Sequence, residues 1–120
     1  LGKLEQAYGN HEKALEWFEQ ALPSHNDNLE LIREASYSAM VLGRGEKAEQ
    51  LCRRAVDLMP NDADLMSNYA LALLLNKEGK RAFGVAANAF KLNPKEGFAR
   101  DVLAYVRKIL DGKEDYPERL

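Results

Sequence analysis

One period runs through this chain. Alanines that open amphipathic runs stand at Ala14, Ala48 and Ala82, each 34 residues from the last. A second set, Ala21, Ala55 and Ala89, lies seven residues further on and keeps the same step. Pro60 and Pro94 form a third matched pair, again 34 apart. Self-similarity at a fixed period of this length is the signature of a repeat architecture, in which each unit buries its apolar face against its neighbours.

The unit is helical. Apolar residues recur at spacings of three and four, and no stretch alternates as a half-buried strand does. Turn signals at Gly9-Asn10, Gly43-Arg44-Gly45 and Lys77-Glu78-Gly79 precede each marker alanine, where one helix reverses into the next. Between units the breaks are Pro23-Ser24-His25-Asn26, Met59-Pro60-Asn61-Asp62 and Asn93-Pro94. Asp27 with Glu30 has capping-box spacing, and Asn93-Pro94-Lys95-Glu96 combines an N-cap, a first-turn proline and a reciprocal glutamate. The spacing predicts a remnant helix near 1–8, then helices near 11–22, 27–42, 45–58, 62–76, 79–92 and 95–111. The alanines have a physical role, because helices that cross closely need a small side chain that does not weaken the helix.

Composition narrows the function. Seventeen basic and nineteen acidic side chains leave a net charge of −2, which gives no general attraction to nucleic acid or an anionic membrane. The longest apolar run, Tyr69 to Leu75, falls short of the ~20 residues of a membrane span. Cys52 is the single cysteine, so no intrachain disulfide forms; the chain suits a reducing compartment, and the cytoplasm is the favoured setting. The sequence opens at Leu1 without a methionine, and a piece of something longer is expected.

These residues carry a resemblance. The pattern is similar to the tetratricopeptide repeat, a helix–turn–helix unit of ~34 residues. Leu1-Gly2 resembles the Leu-Gly pair of that family's first helix. Ala14 and Phe18 carry its Ala-x3-Phe spacing, and Ala48-Ala55-Pro60 and Ala82-Ala89-Pro94 match its second-helix alanines and closing proline. Cys52 and Ala86 replace its large aromatic, and Ser36 and Ala70 replace its first-helix glycine. Pro23 comes three residues early, so the second helix of the first unit is expected to end early. The resemblance implies an all-α fold: a right-handed superhelical solenoid of about three helix-turn-helix repeats plus a capping helix. Its expected limits are a repeat domain over 1–111, with a partial repeat at 1–26, repeats at 27–60 and 61–94, and a cap at 95–111. A charged tail at 112–120 follows.

No catalytic pattern survives inspection, and the chain is not expected to be an enzyme. His11 and His25 form no His-Glu-x-x-His pair, and Gly43-x-Gly45 lacks the Lys-Ser/Thr of a phosphate loop. Asn61-Asp62-Ala63-Asp64 lacks the glycine of a calcium loop, so helix capping explains it. Cys52 lies on a core face with no adjacent base, which fits an inert buried thiol. No cofactor and no metal is expected.

The resemblance implies where a partner would sit. First helices line the concave face of such solenoids. The family's groove positions fall on Arg33, Tyr37 and Met40, with Glu30 at the rim; on Ser67, Leu71 and Leu74, with Asp64 at the rim; and on Asp101, Tyr105 and Lys108 of the cap. The incomplete first helix offers Lys3 and Gln6. Arg33 and Asn68 suit a carboxylate clamp, but Phe98, Val102 and Tyr37 stand where its further cations and Asn would be, so a clamp is disfavoured. Leu71, Leu74 and Leu75 exceed what the core face of their helix needs. Either neighbouring helices cover them or they form an apolar groove. The expected function is a protein-interaction module or scaffold that holds a protein or peptide segment in the groove. The alternatives are a regulatory or substrate-presenting part of a larger enzyme, or a self-association domain that builds a homo-oligomer.

Overall fold

The computed structural model describes residues 9–25, 27–95 and 97–120. The remnant helix expected near 1–8, with Lys3 and Gln6, lies outside them. Among the described residues six α-helices follow one another: α1 His11–Ala21, α2 Leu29–Val41, α3 Gly45–Leu58, α4 Ala63–Leu75, α5 Gly79–Leu92 and α6 Gly97–Leu110. No strand occurs among the described residues. Consecutive helices pack as antiparallel hairpins, α2 on α3 and α4 on α5, while α1 packs on α2 and α6 on α5. The chain is an all-α solenoid of helical hairpins.

The period has a structural counterpart at each marker. Ala14, Ala48 and Ala82 are fully buried, at 0% exposure, where any larger side chain would push two helices apart. The helix reversals also repeat. Gly9, Gly43 and Lys77 stand 34 apart and all have positive φ, at 79°, 74° and 59°. After α2, the Gly43 amide donates to the Met40 carbonyl at 3.1 Å and the Arg44 amide to Ala39 at 2.8 Å. After α4, the Lys77 amide donates to Leu74 at 3.0 Å and the Glu78 amide to Leu73 at 3.0 Å. These are paired C-terminal closures in which a left-handed residue satisfies the last carbonyls.

Helix starts follow local chemistry, with two corrections. Asn28, not Asp27, caps α2, its side chain accepting from the Leu31 amide at 3.2 Å; both residues suit the position, and the chain enters the helix one residue later. Asn93 closes α5 instead of opening α6, and α6 begins at Gly97; Glu96 lies outside the described residues. Asp62 caps α4 by accepting from the Leu65 amide at 3.0 Å. Pro23 acts as expected: α1 ends at Ala21 and passes into a 3-10 turn, Leu22–Ser24, where the proline's missing N–H costs nothing.

The core is built in series. One cluster joins α1 through α4, with Phe18, Ile32 and Leu51 among its members. The next joins α4, α5 and α6 through Leu73, Leu74, Val102 and Val106. Helix α4 belongs to both, because α3, α5 and α6 all pack against it. A helix surrounded in this way has little exposed face left and is apolar all round. On the outer side, the Glu49 carboxylate lies 3.3 Å from Arg53 and 3.3 Å from Arg81, bridging α3 to α5.

Residues 112–120 do not trail away. Gly112 ends α6 at φ 73°, its amide donating to Ile109 at 3.1 Å and that of Lys113 to Lys108 at 2.8 Å. The chain then runs back along the edge formed by the hairpin turns, and Tyr116 packs into the second core cluster.

Candidate functional site

Helix α2 presents Arg33 and Tyr37 one turn apart, both exposed, with Met40 a further turn along. Residues at these spacings share one face. Beside them an open depression of about 640 Å³ is bounded by Glu30, Arg33, Glu34, Tyr37 and Met40, and by Asn68 of α4. It lies where α2 and α4 pack less closely than α4 and α6 do.

The depression mixes charge and aromatic surface. Tyr37 is 53% exposed, which is unusual for so large a ring. The His11 ring meets it edge-on, with centroids 5.5 Å apart at 73°, and His11 Nδ1 lies 3.4 Å from Ser38 Oγ. Arg33 offers a planar set of donors on a surface that also carries Glu30 and Glu34. Glu34 and Asn68 stand 34 apart in the sequence, so the period itself brings them to matching places on neighbouring first helices.

The other expected groove residues separate into two groups. Ser67 and Leu74 are fully buried and Met40 is 7% exposed, so Ser67 and Leu74 offer nothing to a partner, and Met40 only an edge. The reason is the enclosure of α4: Leu74 sits in the second core cluster, and Leu71 and Leu75 pack on the clusters as partly buried residues. The leucines that exceeded one core face serve two. Leu71, Asp101 and Tyr105 do not line the depression. Asp101 is exposed on α6 and Tyr105 half-buried; burial, and then the Glu114 carboxylate, hold the Tyr105 phenol above its ordinary value.

Cys52 is 2% exposed. Burial pushes its thiol up to about 12, against a smaller opposing effect of the hydrogen bond with Ser36, so the thiolate a nucleophile needs does not form near neutral pH. Among the described residues no group of three or more His, Cys, Asp or Glu side chains is arranged to hold a metal ion. No described helix is long and apolar enough to cross a membrane.

Known structures share this fold. The first repeat domain of Spaghetti (RPAP3) bound to an HSP90 peptide superimposes with a TM-score of 0.80 at 18% identity, covering 92% of this chain and 87% of that one. MamA superimposes with a TM-score of 0.82 at 20% identity, covering 97% and 67%. The fold is that of the tetratricopeptide repeat. In sequence, mouse interferon-induced protein with tetratricopeptide repeats 3 is 27% identical over 124 residues, which take in 100% of this chain and 30% of the relative. The chain thus spans less than a third of that protein's length. No model of a known protein family matches it. The tetratricopeptide period is accordingly carried by spacing and small residues more than by overall identity.

Proposed function

We propose that this chain is a protein-interaction module that holds a peptide segment in the depression between α2 and α4. The observation that carries the reading is the grouping of an exposed aromatic, Tyr37, with Arg33 and Asn68 around one open concavity. A rigid aromatic plus a bidentate donor is the combination that anchors segments at interfaces. Asn68 can pair with a peptide main chain through both its donor and its acceptor. Support by analogy comes from the RPAP3 domain, which holds the HSP90 peptide SRMEEVD on the same fold.

The partner-facing residues in this reading are Arg33, Tyr37, the edge of Met40, and Asn68. Leu74→Glu would bury a charge in the core and report only on folding. The test is selection of binders from a random peptide display library against the whole chain. Arg33→Glu and Tyr37→Ala, with helical circular dichroism unchanged, are expected to weaken the selected peptides at least tenfold. Arg54→Glu, on an outer helix, is the control. Equal binding by all three variants removes this depression as the site.

A further inference from the structure

The strip of chain after α6 makes contacts that a solvated tail has no reason to make. The Tyr116 hydroxyl accepts a hydrogen bond from the Gly79 amide at 3.2 Å. That amide is the first of α5, whose N-cap residue Glu78 makes no side-chain capping bond, so Tyr116 supplies the missing cap from 37 residues away. Four residues further on, the Leu120 amide donates to the Met40 carbonyl oxygen at 2.9 Å. Between these points the Glu118 carbonyl lies against Gly43, where an added Cβ would overlap it, as an added Cβ on Gly79 would overlap the Tyr116 hydroxyl. The strip is seated on two glycines in the turns of two successive hairpins. Pro117 favours this path, because a residue preceding proline is biased to extended backbone.

Little holds the strip in place. Apart from Tyr116 and Pro117, every residue from 113 to 120 is exposed. Among the described residues, two long-range hydrogen bonds and one aromatic ring are set against the ordering of eight residues. Segments with so few buried contacts open well below the free energy of global unfolding. Met40 meanwhile belongs to two places at once: its carbonyl receives the strip, and its side chain borders the α2–α4 depression.

We propose that residues 113–120 form a releasable latch that spans the turns of the second and third hairpins and ties its own state to the depression through Met40. When the latch is seated, Gly79 is capped and the Met40 end of α2 is held. When it leaves, Gly79 loses its cap, the Met40 carbonyl keeps the Gly43 amide but loses that of Leu120, and the turn edge, with its two glycine seats, is open.

Amide hydrogen exchange on the full chain, with the Met40 methyl group followed by NMR, tests this. In the unmodified chain the Leu120 and Gly79 amides are expected to be protected. Tyr116→Ala is expected to speed exchange at both by at least tenfold and to move the Met40 methyl signal, while Leu15 and Phe18 in α1 keep their rates. Leu120→Pro removes the other anchor without touching the core, and it is expected to speed exchange at Gly79. An unprotected Leu120 amide in the unmodified chain overturns the latch. So does a Gly79 rate, or a Met40 signal, that ignores Leu120→Pro. Neither readout needs a partner, so failure of the depression to bind a peptide leaves this result standing, and the reverse holds too.

Discussion

Asn76 Nδ2 donates to the Gly45 carbonyl oxygen at 3.1 Å, joining the end of α4 to the start of α3 across the boundary between repeats. Gly45 and Gly79 are 34 apart, and each receives the end of the next first helix, Asn76 in one case and Leu110 in the other. A Cβ at Gly45 would overlap Asn76 Oδ1. The two positions should therefore be coupled. Gly45→Ala and Asn76→Ala are expected to be non-additive by about 0.5–2 kcal/mol, since the first change already displaces the side chain that the second removes. Urea unfolding of both single variants and the double variant measures this, and additive costs would show that the contact does not join the repeats.

Lys77 occupies a left-handed position that its period-mates fill with glycine, at φ 59°. A Cβ there is costly, while glycine costs unfolded-state entropy. Lys77→Gly is expected to raise stability by about 0.5–1 kcal/mol, read from the urea midpoint. A lower midpoint would mean that the lysine side chain contributes more than its backbone strain takes away.

Ser67 is fully buried, and its hydroxyl has no hydrogen-bond partner among the described residues. An unpaired buried hydroxyl costs about 1–3 kcal/mol, whereas replacing it with a methyl hydrogen leaves only a small void. Ser67→Ala is expected to stabilise the chain by about 1 kcal/mol, and a higher melting temperature is the sign to look for.

Cys52 makes stability depend on pH at the alkaline end. Its thiol is raised from 9.0 to about 12 by burial, so the folded chain keeps a proton that the unfolded chain releases. This contribution is fully present below pH ~9 and is lost as pH rises from there toward 12, at up to about 1.4 kcal/mol per pH unit. Between pH 8 and 10.5 the urea midpoint should fall more for the unmodified chain than for Cys52→Ala. Parallel descents would show that the thiol ionises freely in the fold.

The hairpin stack was legible because its determinants are local and periodic. Ala14, Ala48 and Ala82 mark close helix crossings, and turn glycines mark the reversals, so helices α3 and α5 fall on the expected spans, 45–58 and 79–92. Of the expected groove residues, Arg33 and Tyr37 are the ones where family register and exposure beside the depression coincide. Ser67 and Leu74 occupy the same register as groove residues, yet the covering of α4 by α3, α5 and α6 removes them from the surface. That covering is a long-range fact that no spacing within α4 encodes. Residues 113–120 read as a charged strip for the same reason. Their seats, Gly43 and Gly79, lie far back in the chain, and Tyr116 differs from an ordinary tyrosine only through Gly79 and the second core cluster.

A peptide segment seated between α2 and α4 would leave a direct signature in solution. The most direct measurement is a titration of the isotope-labelled chain with a display-selected peptide, followed by amide chemical shifts. Perturbations are expected to concentrate on residues 30–40 and on Asn68, with the outer faces of α3 and α5 unmoved. Perturbations centred on those outer faces, with Arg33 and Tyr37 silent, would contradict that placement.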